Sequence, residues 1–420
     1  MDKGSRNLLY GLLIVIIVVG VGSGMFMVGL NVGRTAAIPT VAPTTPPLPT
    51  TTAATAPPTP TASTTSSNEN ILQKLGQFKQ AYDLIQAEFY GDVPSDDELT
   101  YGAIRGMLQT LGDDYTSFIE PNIARIIRED ASGSFEGIGA LVRLNDAQKV
   151  EIVRVIQNSP AEAEELKAGD QIVAVDGKSI VGLGLYEAIG LIRGPAGSQV
   201  TLTIERPDTE QPFEVLITRA KLENPLVESR MIGSDVAYVL LTGFDGTATD
   251  RLQREIDSLL VRNPKGLILD LRGNPGGFLD EAIGVADLFL GDGVVLFERQ
   301  KDGNEETFRS DDGDLAETIP LVVLVDAGSA SASEIVAGAV QDLGRGTLIG
   351  TKTFGKGSVQ RVHALSDGSE LRVTVARWFT PNDRAIHGEG IEPDIVIEAG
   401  ADAATDPQLD RAVEFLRTGK

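Results

Sequence analysis

Three stretches of the chain combine residue types that could carry out hydrolytic chemistry. The first is DAGSASASEIVAGAVQDLG, residues 326–344, where small residues turn the chain from a β-type run into a helix-type run. A serine at such a turn can present its hydroxyl beside a helix N-terminus, whose positive potential favours a developing oxyanion. The same residues also read as caps. Ser331 and Glu334 have the spacing of a capping box, and Ser329 or Ser333 could cap equally well. The second is FGKGSVQ, residues 354–360, with Lys356 between two glycines and Gln360 four positions on. A lysine accepts a proton only when neutral, so burial or nearby positive charge must lower its pKa. An ordinary solvated lysine fits the same residues. The third is DLRGNPGG, residues 270–277, a turn after the apolar run GLILDL. It reads as a tight turn, and it could also aim backbone N–H groups at an anionic oxygen.

Composition removes several alternatives. There is no Cys, which excludes disulfides, thiol catalysis and Cys-ligated zinc. Only His363 and His387 are present, so a multi-His metal site is excluded and a His-dependent triad has two candidates. His363 falls on a strand-like run and His387 in a polar loop, and both read as structural. No metal or organic cofactor is expected. The net charge is −24, and residues 1–68 contribute only positive net charge, so the rest of the chain is strongly acidic. Such a body repels nucleic acid.

Elements that must position these stretches follow from periodicity. Residues 223–400 alternate β-branched runs with helical ones: VAYVLLTGF then TDRLQREIDSLL, GLILDLRG then FLDEAIGVADLFL, IPLVVLVDAG then SASEIVAGAVQDLG. That pattern predicts a buried sheet covered by helices. QLDRAVEFLR, within residues 401–420, predicts a closing helix. Residues 70–133 read as helical, with Leu72, Leu75, Phe78, Tyr82, Ile85 and Phe89 at three- and four-residue steps. A second helical run ends at LGDDYTSF, and nothing catalytic stands out there. Residues 134–222 carry short β-type runs around two short helices, which together make a small barrel.

Residues 8–30 form an uncharged run of 23 residues preceded by Lys3 and Arg6. As a helix this run is about 35 Å long and spans a bilayer core, with the N-terminus cytoplasmic. It exceeds the 7–15 apolar residues of a signal peptide, so an uncleaved anchor is expected over residues 1–34. Residues 35–69 follow as a spacer; 12 Thr and 8 Pro between 35 and 68 cannot build a core. The expected location is therefore the cell membrane, single-pass, with the body outside the cytoplasm.

The region 134–222, from FEGIGALV through NSPAEAEELKAGDQIVAVDGKSI, resembles a PDZ domain. That resemblance implies that the backbone N–H groups of Gly137, Ile138 and Gly139 receive a peptide's terminal carboxylate while the peptide adds as a strand. DLRGNPGG, GSASASEI and FGKGSVQ follow in that order, and then GEGIEPDIVIE. Together they resemble the carboxyl-terminal processing, or tail-specific, protease family over residues 70–420. The resemblance implies an α+β multidomain fold: a helical N-terminal region, a PDZ domain and a crotonase- or ClpP-like core. It implies Ser331 as nucleophile, Lys356 as general base and Gln360 as the residue orienting that lysine. It places the oxyanion hole at the N–H of Ala332 and of Gly276 or Gly277. Asp342 matches a supporting family aspartate, and Arg193 a PDZ arginine linked to activation in some members. Asp114 in DDYTSF stands where the commoner form has proline. The implied activity is serine endopeptidase hydrolysis of proteins with free C-termini, with self-association through the N- and C-terminal helices. A catalytically silent PDZ scaffold and an acyl-CoA enzyme are the rival readings.

Overall fold

The computed structural model of the protein describes residues 65–207, 209, 211–314, 316–400 and 405–420. The run 8–30 and the spacer up to residue 64 lie outside the described residues. Among the described residues no helix is long and apolar enough to cross a membrane. Of the described residues, those from Leu108 to Lys420 belong to one compact unit and those from Thr65 to Met107 to a second.

The second unit is helical: α1 (Thr65–Glu88), followed by α2 (Asp96–Gln109), whose last residues pass into the first unit. The helix α1 starts inside the stretch whose composition reads as spacer. Its apolar residues Leu75, Phe78, Leu84 and Ile85, and Phe89 just beyond its end, are exposed.

In the compact unit, β1 (Ser117–Ile119) and α3 (Pro121–Ala131) lead into β2 (Ser134–Gly137). The barrel then comprises β3 (Ala140–Leu144), β4 (Val150–Val155), α4 (Pro160–Ala163), β5 (Gln171–Val175), β6 (Lys178–Ser179), α5 (Leu185–Ile192), β7 (Gln199–Glu205) and β8 (Phe213–Thr218). Its strands run antiparallel in the order β3-β4-β5-β7-β8. Alternation builds it: Val200, Leu202 and Ile204 of β7 point inward and face Ile217 and Val215 of β8. Strand β9 (Ala220–Glu223) returns to pair with β2.

The remaining chain forms two sheets. Strands β10 (Val227–Ile232), β11 (Val236–Leu241), β12 (Gly266–Asp270), β15 (Leu321–Val325), β16 (Thr347–Gly350) and β19 (Ile395–Val396) lie side by side in that order. All neighbours from β11 on are parallel. Helices α6 (Ala248–Leu260), α7 (Leu279–Asp287) and α8 (Ala332–Asp342) share one core with Val239, Leu269 and Val323. The closing helix α9 (Pro407–Thr418) shares the other, with Tyr238, Ile268 and Leu324. Coverage on both faces explains why β12 and β15 are apolar at nearly every position.

The second sheet joins β1, β18 (Glu370–Phe379), β13 (Gly293–Gln300) and β14 (Glu305–Ser310), with β17 (Ser358–Ala364) also on β18, all antiparallel. Reading 223–400 as a single strand–helix alternation misses this sheet. Strands β12 and β15 are adjacent and parallel, so the turns leaving their C-terminal ends, 270–277 and 326–331, meet.

Candidate active site

The three serines of 329–333 have distinct environments. Ser329 donates its hydroxyl to the Leu271 carbonyl over 2.8 Å and accepts from the Asp326 amide over 3.0 Å. Ser333 donates to the Asn274 carbonyl over 2.9 Å. Both therefore tie the serine turn to the DLRGNPGG turn. Ser331 is 0% exposed, and its buried hydroxyl has no hydrogen-bond partner. Its backbone sits at φ 56°, ψ −114°, a strained conformation for a residue with a side chain. Ser331 and Glu334 meet at the start of α8 as the capping-box spacing predicts. Glu334 accepts from the Ser331 amide over 2.8 Å, but its own amide goes to the Ser331 carbonyl, not the hydroxyl.

Glu334, fully buried, gathers the lysine loop as well. Its Oε1 accepts from the Thr353 hydroxyl and the Gly355 amide, each over 2.6 Å. Its Oε2 accepts from the amides of Ser331 and Lys356, each over 2.8 Å. Burial pushes the Glu334 carboxyl upward in pKa, and these donors oppose that shift. Part of Lys356 touches solvent, but its ammonium is packed round by protein and makes no hydrogen bond or ion pair among the described residues. Burial first, and the Arg372 charge second, lower its pKa to about 8, with Glu334 opposing. A lysine at that value is substantially neutral in mildly alkaline solution. The loop is braced from behind by residues of the GEGIEP stretch: the Gly388 amide donates to the Gly355 carbonyl over 2.9 Å, and the Ile391 amide to the Thr353 hydroxyl over 2.7 Å.

The DLRGNPGG turn abuts the serine turn. A Cβ on Gly276 would lie 2.7 Å from the Ala330 oxygen and 2.8 Å from the Ala332 nitrogen, so only glycine permits this approach. The Gly276 amide is already committed to Asn274 Oδ1, over 2.9 Å. The amides of Gly277 and Ala332 make no hydrogen bond among the described residues. That favours Gly277 over Gly276 as the partner of Ala332 in an oxyanion hole. Upstream, Arg272 clamps the turn: it pairs with Asp270 over 2.6 Å and with Asp406 at the start of α9 over 2.8 Å.

Other expected residues fall elsewhere. Gln360, buried on β17, donates to the Ser358 hydroxyl over 2.9 Å and to Thr374 over 3.4 Å, not to Lys356. Asp342 ends α8 and holds the turn at 382–384: it accepts from the Asn382 amide over 2.8 Å and pairs with Arg384. Its role there is to anchor that turn. His363 is exposed on β17. His387 contacts Arg377 through Nδ1 over 3.1 Å, and burial with that neighbouring charge lowers its pKa. Neither histidine reaches Ser331 by any hydrogen bond.

Two residues that sequence reading passed over stand beside the lysine. The Tyr115 ring centroid lies 5.8 Å from the Lys356 ammonium and 5.6 Å from the His387 ring. Arg372, 4% exposed, pairs with Glu370 over 3.4 Å, and Glu370 also meets Arg128 of α3. The DDYTSF stretch was the only sequence signal for Tyr115. Nothing in sequence spacing marks Arg372, which arrives by strand pairing.

On the barrel, a cavity of about 650 Å³ opens along β3 and α5, lined also by Phe244, Asp245 and Phe278 of the core. The amides of Ile138 and Gly139 at its end make no hydrogen bond among the described residues, while Gly137 pairs with Ala220 at the end of β2. Gly139 has φ +87°, and a Cβ there would overlap the Ser159 side chain. Arg193 follows the last residue of α5. Its side chain is mostly buried, pairs with Asp130 over 2.7 Å and lies 4.6 Å above the Phe135 ring.

Three known families match along the chain. Residues 235–397 match peptidase family S41, residues 151–206 the PDZ domain family and residues 49–122 the activating protease CtpB N-terminal domain. A carboxy-terminal-processing protease of Bartonella bacilliformis is 39% identical over 340 residues, covering 80% of this chain and 77% of that protein. The carboxy-terminal processing protease CtpA of Bacillus subtilis is 39% identical over 338 residues, covering 80% of this chain and 72% of its own. The solved photosystem II D1 C-terminal processing protease aligns with a TM-score of 0.50 at 32% identity, covering 76% of this chain and 86% of that one.

Proposed function

The chain belongs to peptidase family S41, among the carboxy-terminal processing proteases, and from this we propose that it is a Ser–Lys endopeptidase recruited to protein tails by its PDZ domain. In this reading neutral Lys356 takes the Ser331 proton as Oγ attacks a peptide carbonyl. The amides of Ala332 and Gly277 hold the oxyanion, an effect of roughly 3–4 kcal/mol per donor. Lys356 returns the proton to the leaving amine, and a water then cleaves the acyl-enzyme. One observation carries the reading: Ser331 alone of its three serines keeps an unpartnered hydroxyl, on strained backbone, with its amide tied to the lysine loop through Glu334. A silent PDZ scaffold gives no account of that hydroxyl.

Gly137, Ile138 and Gly139 would receive the substrate's terminal carboxylate, which the unbonded amides of Ile138 and Gly139 support. Arg193, between Asp130 and Phe135, would report an occupied groove to the core. Residues 8–30 would anchor the protein with its body outside the cytoplasm, and the exposed apolar residues of α1 would meet a second copy. Purified Ser331→Ala tests the chemistry: it should bind tail peptides but cleave no unfolded protein. Wild-type cleavage by that variant would refute the assignment. Protease added to intact spheroplasts tests the topology, since digestion of the body is required and full protection would invert it.

A further inference from the structure

Asn274 is 0% exposed and joins three segments around the serine turn. Its side-chain oxygen accepts from the Gly276 amide over 2.9 Å, and its side-chain nitrogen donates to the Leu241 carbonyl at the end of β11 over 2.8 Å. Its main-chain carbonyl accepts from the Ala330 amide over 3.0 Å and from the Ser333 hydroxyl over 2.9 Å. Those last two groups flank Ser331 in sequence. The side-chain oxygen and nitrogen thus each have a buried partner of opposite kind.

We propose that Asn274 is the positioning residue that selects the oxyanion donors, an inference that rests on Ser331 being the nucleophile. By engaging the Gly276 amide it removes that N–H from the hole and leaves the amides of Gly277 and Ala332 as the pair. Through its main chain it helps to hold the Gly277 side of the hole against the Ala332 side, beside the Ser329–Leu271 hydrogen bond. Only a short amide suits the position. Leucine would leave the Gly276 N–H and Leu241 C=O unpaired, and an ionised aspartate would face the Leu241 carbonyl with a second acceptor.

The test uses full-length protein as wild type, Asn274→Ala, Asn274→Asp and Ser331→Ala. Measured are kcat and KM on a peptide substrate, inhibition by a peptide aldehyde whose hemiacetal oxygen occupies the hole, and binding of a tail peptide. In Asn274→Ala, kcat should fall about 100-fold while KM changes less than about threefold. Aldehyde affinity should fall with kcat, and tail-peptide binding should persist. In Asn274→Asp a protonated carboxyl can still accept from Gly276 and donate to Leu241, so its activity relative to wild type should rise as pH falls. A kcat for Asn274→Ala within about threefold of wild type would overturn the proposal. So would unchanged aldehyde affinity. Should Asn274→Ala lose tail binding through misfolding, Asn274→Asp decides: a flat activity ratio across pH overturns the proposal. Wild-type cleavage by Ser331→Ala would instead mean that the nucleophile is wrong.

Discussion

The backbone amides of Ser331 and Lys356 donate to the same oxygen, Oε2 of Glu334, each over 2.8 Å. One buried carboxylate thereby fixes the serine turn and the lysine loop to each other. Glu334→Gln removes the charge and puts an NH2 where two donors now converge. It should lower kcat about 100-fold and cost about 1–3 kcal/mol of stability, read from activity assays and the urea midpoint. Near-wild-type kcat would show that the bridge is dispensable.

Lys356 is predicted to set the pH profile. Its pKa is depressed to about 8, so the protonated, inactive form predominates below that value. The kcat/KM should therefore rise about tenfold per pH unit on the acid side and level off above the midpoint. Removing the Arg372 charge, as Arg372→Gln, removes a cause of the depression, so the midpoint should move to higher pH. Lys356→Arg keeps a charge that cannot be lost and should be as inactive as Lys356→Ala. A flat profile from mildly acid to alkaline pH would count against the lysine as base.

Ser329→Ala and Ser333→Ala should behave unlike Ser331→Ala. Each loses one buried hydrogen bond between the two turns, to Leu271 and Asn274 respectively. The cost should be about 1 kcal/mol in thermal or denaturant unfolding, with partial loss of kcat. Complete inactivation of either, with the fold intact, would move the nucleophile assignment.

At the 270–277 turn, Gly277→Ala drives a Cβ into the Phe244 carbonyl, whereas Gly273 has open space around its Cβ position. Both Gly277→Ala and Gly273→Ala are compared by kcat. The first should lose at least about 100-fold. Gly273→Ala, at φ +66°, should cost about 1 kcal/mol of stability and leave kcat near wild type.

Tail recognition is best tested on the peptide. A Gly139→Val change would collide with Ser159 and disturb the barrel itself, so it does not isolate carboxylate binding. A substrate with a free C-terminus should be cleaved faster than its amidated form, which lacks the charge. Equal rates would leave the PDZ domain as a passive tether.

How much of this was legible in the sequence differs by residue. The strand–turn–helix character of 326–344 and the apolar runs of β11, β12 and β15 announce themselves, because a doubly covered parallel strand is apolar throughout. The choice among Ser329, Ser331 and Ser333 does not, since all three fit a cap. What separates them is which hydroxyls find partners on the neighbouring turn: those of Ser329 and Ser333 do, and that of Ser331 does not. Glu334 looks like half of a local capping box, and its contacts with Thr353, Gly355 and Lys356 come from about twenty residues away. Gly276 and Gly277 are indistinguishable until Asn274 is seen to occupy the first. Tyr115 and Arg372 reach the lysine through β1 and β18, an antiparallel sheet that the strand–helix alternation conceals.

The central claim is that Ser331 is the nucleophile and that its reactivity depends on Lys356. A fluorophosphonate probe transfers its phosphonyl group to an activated serine, and mass spectrometry of the digested protein locates the adduct. The account predicts a single adduct on Ser331 in the wild type, forming faster as pH rises through about 8, and absent from Ser331→Ala and Lys356→Ala. An adduct on Ser329 or Ser333, or undiminished labelling of Lys356→Ala, would contradict it.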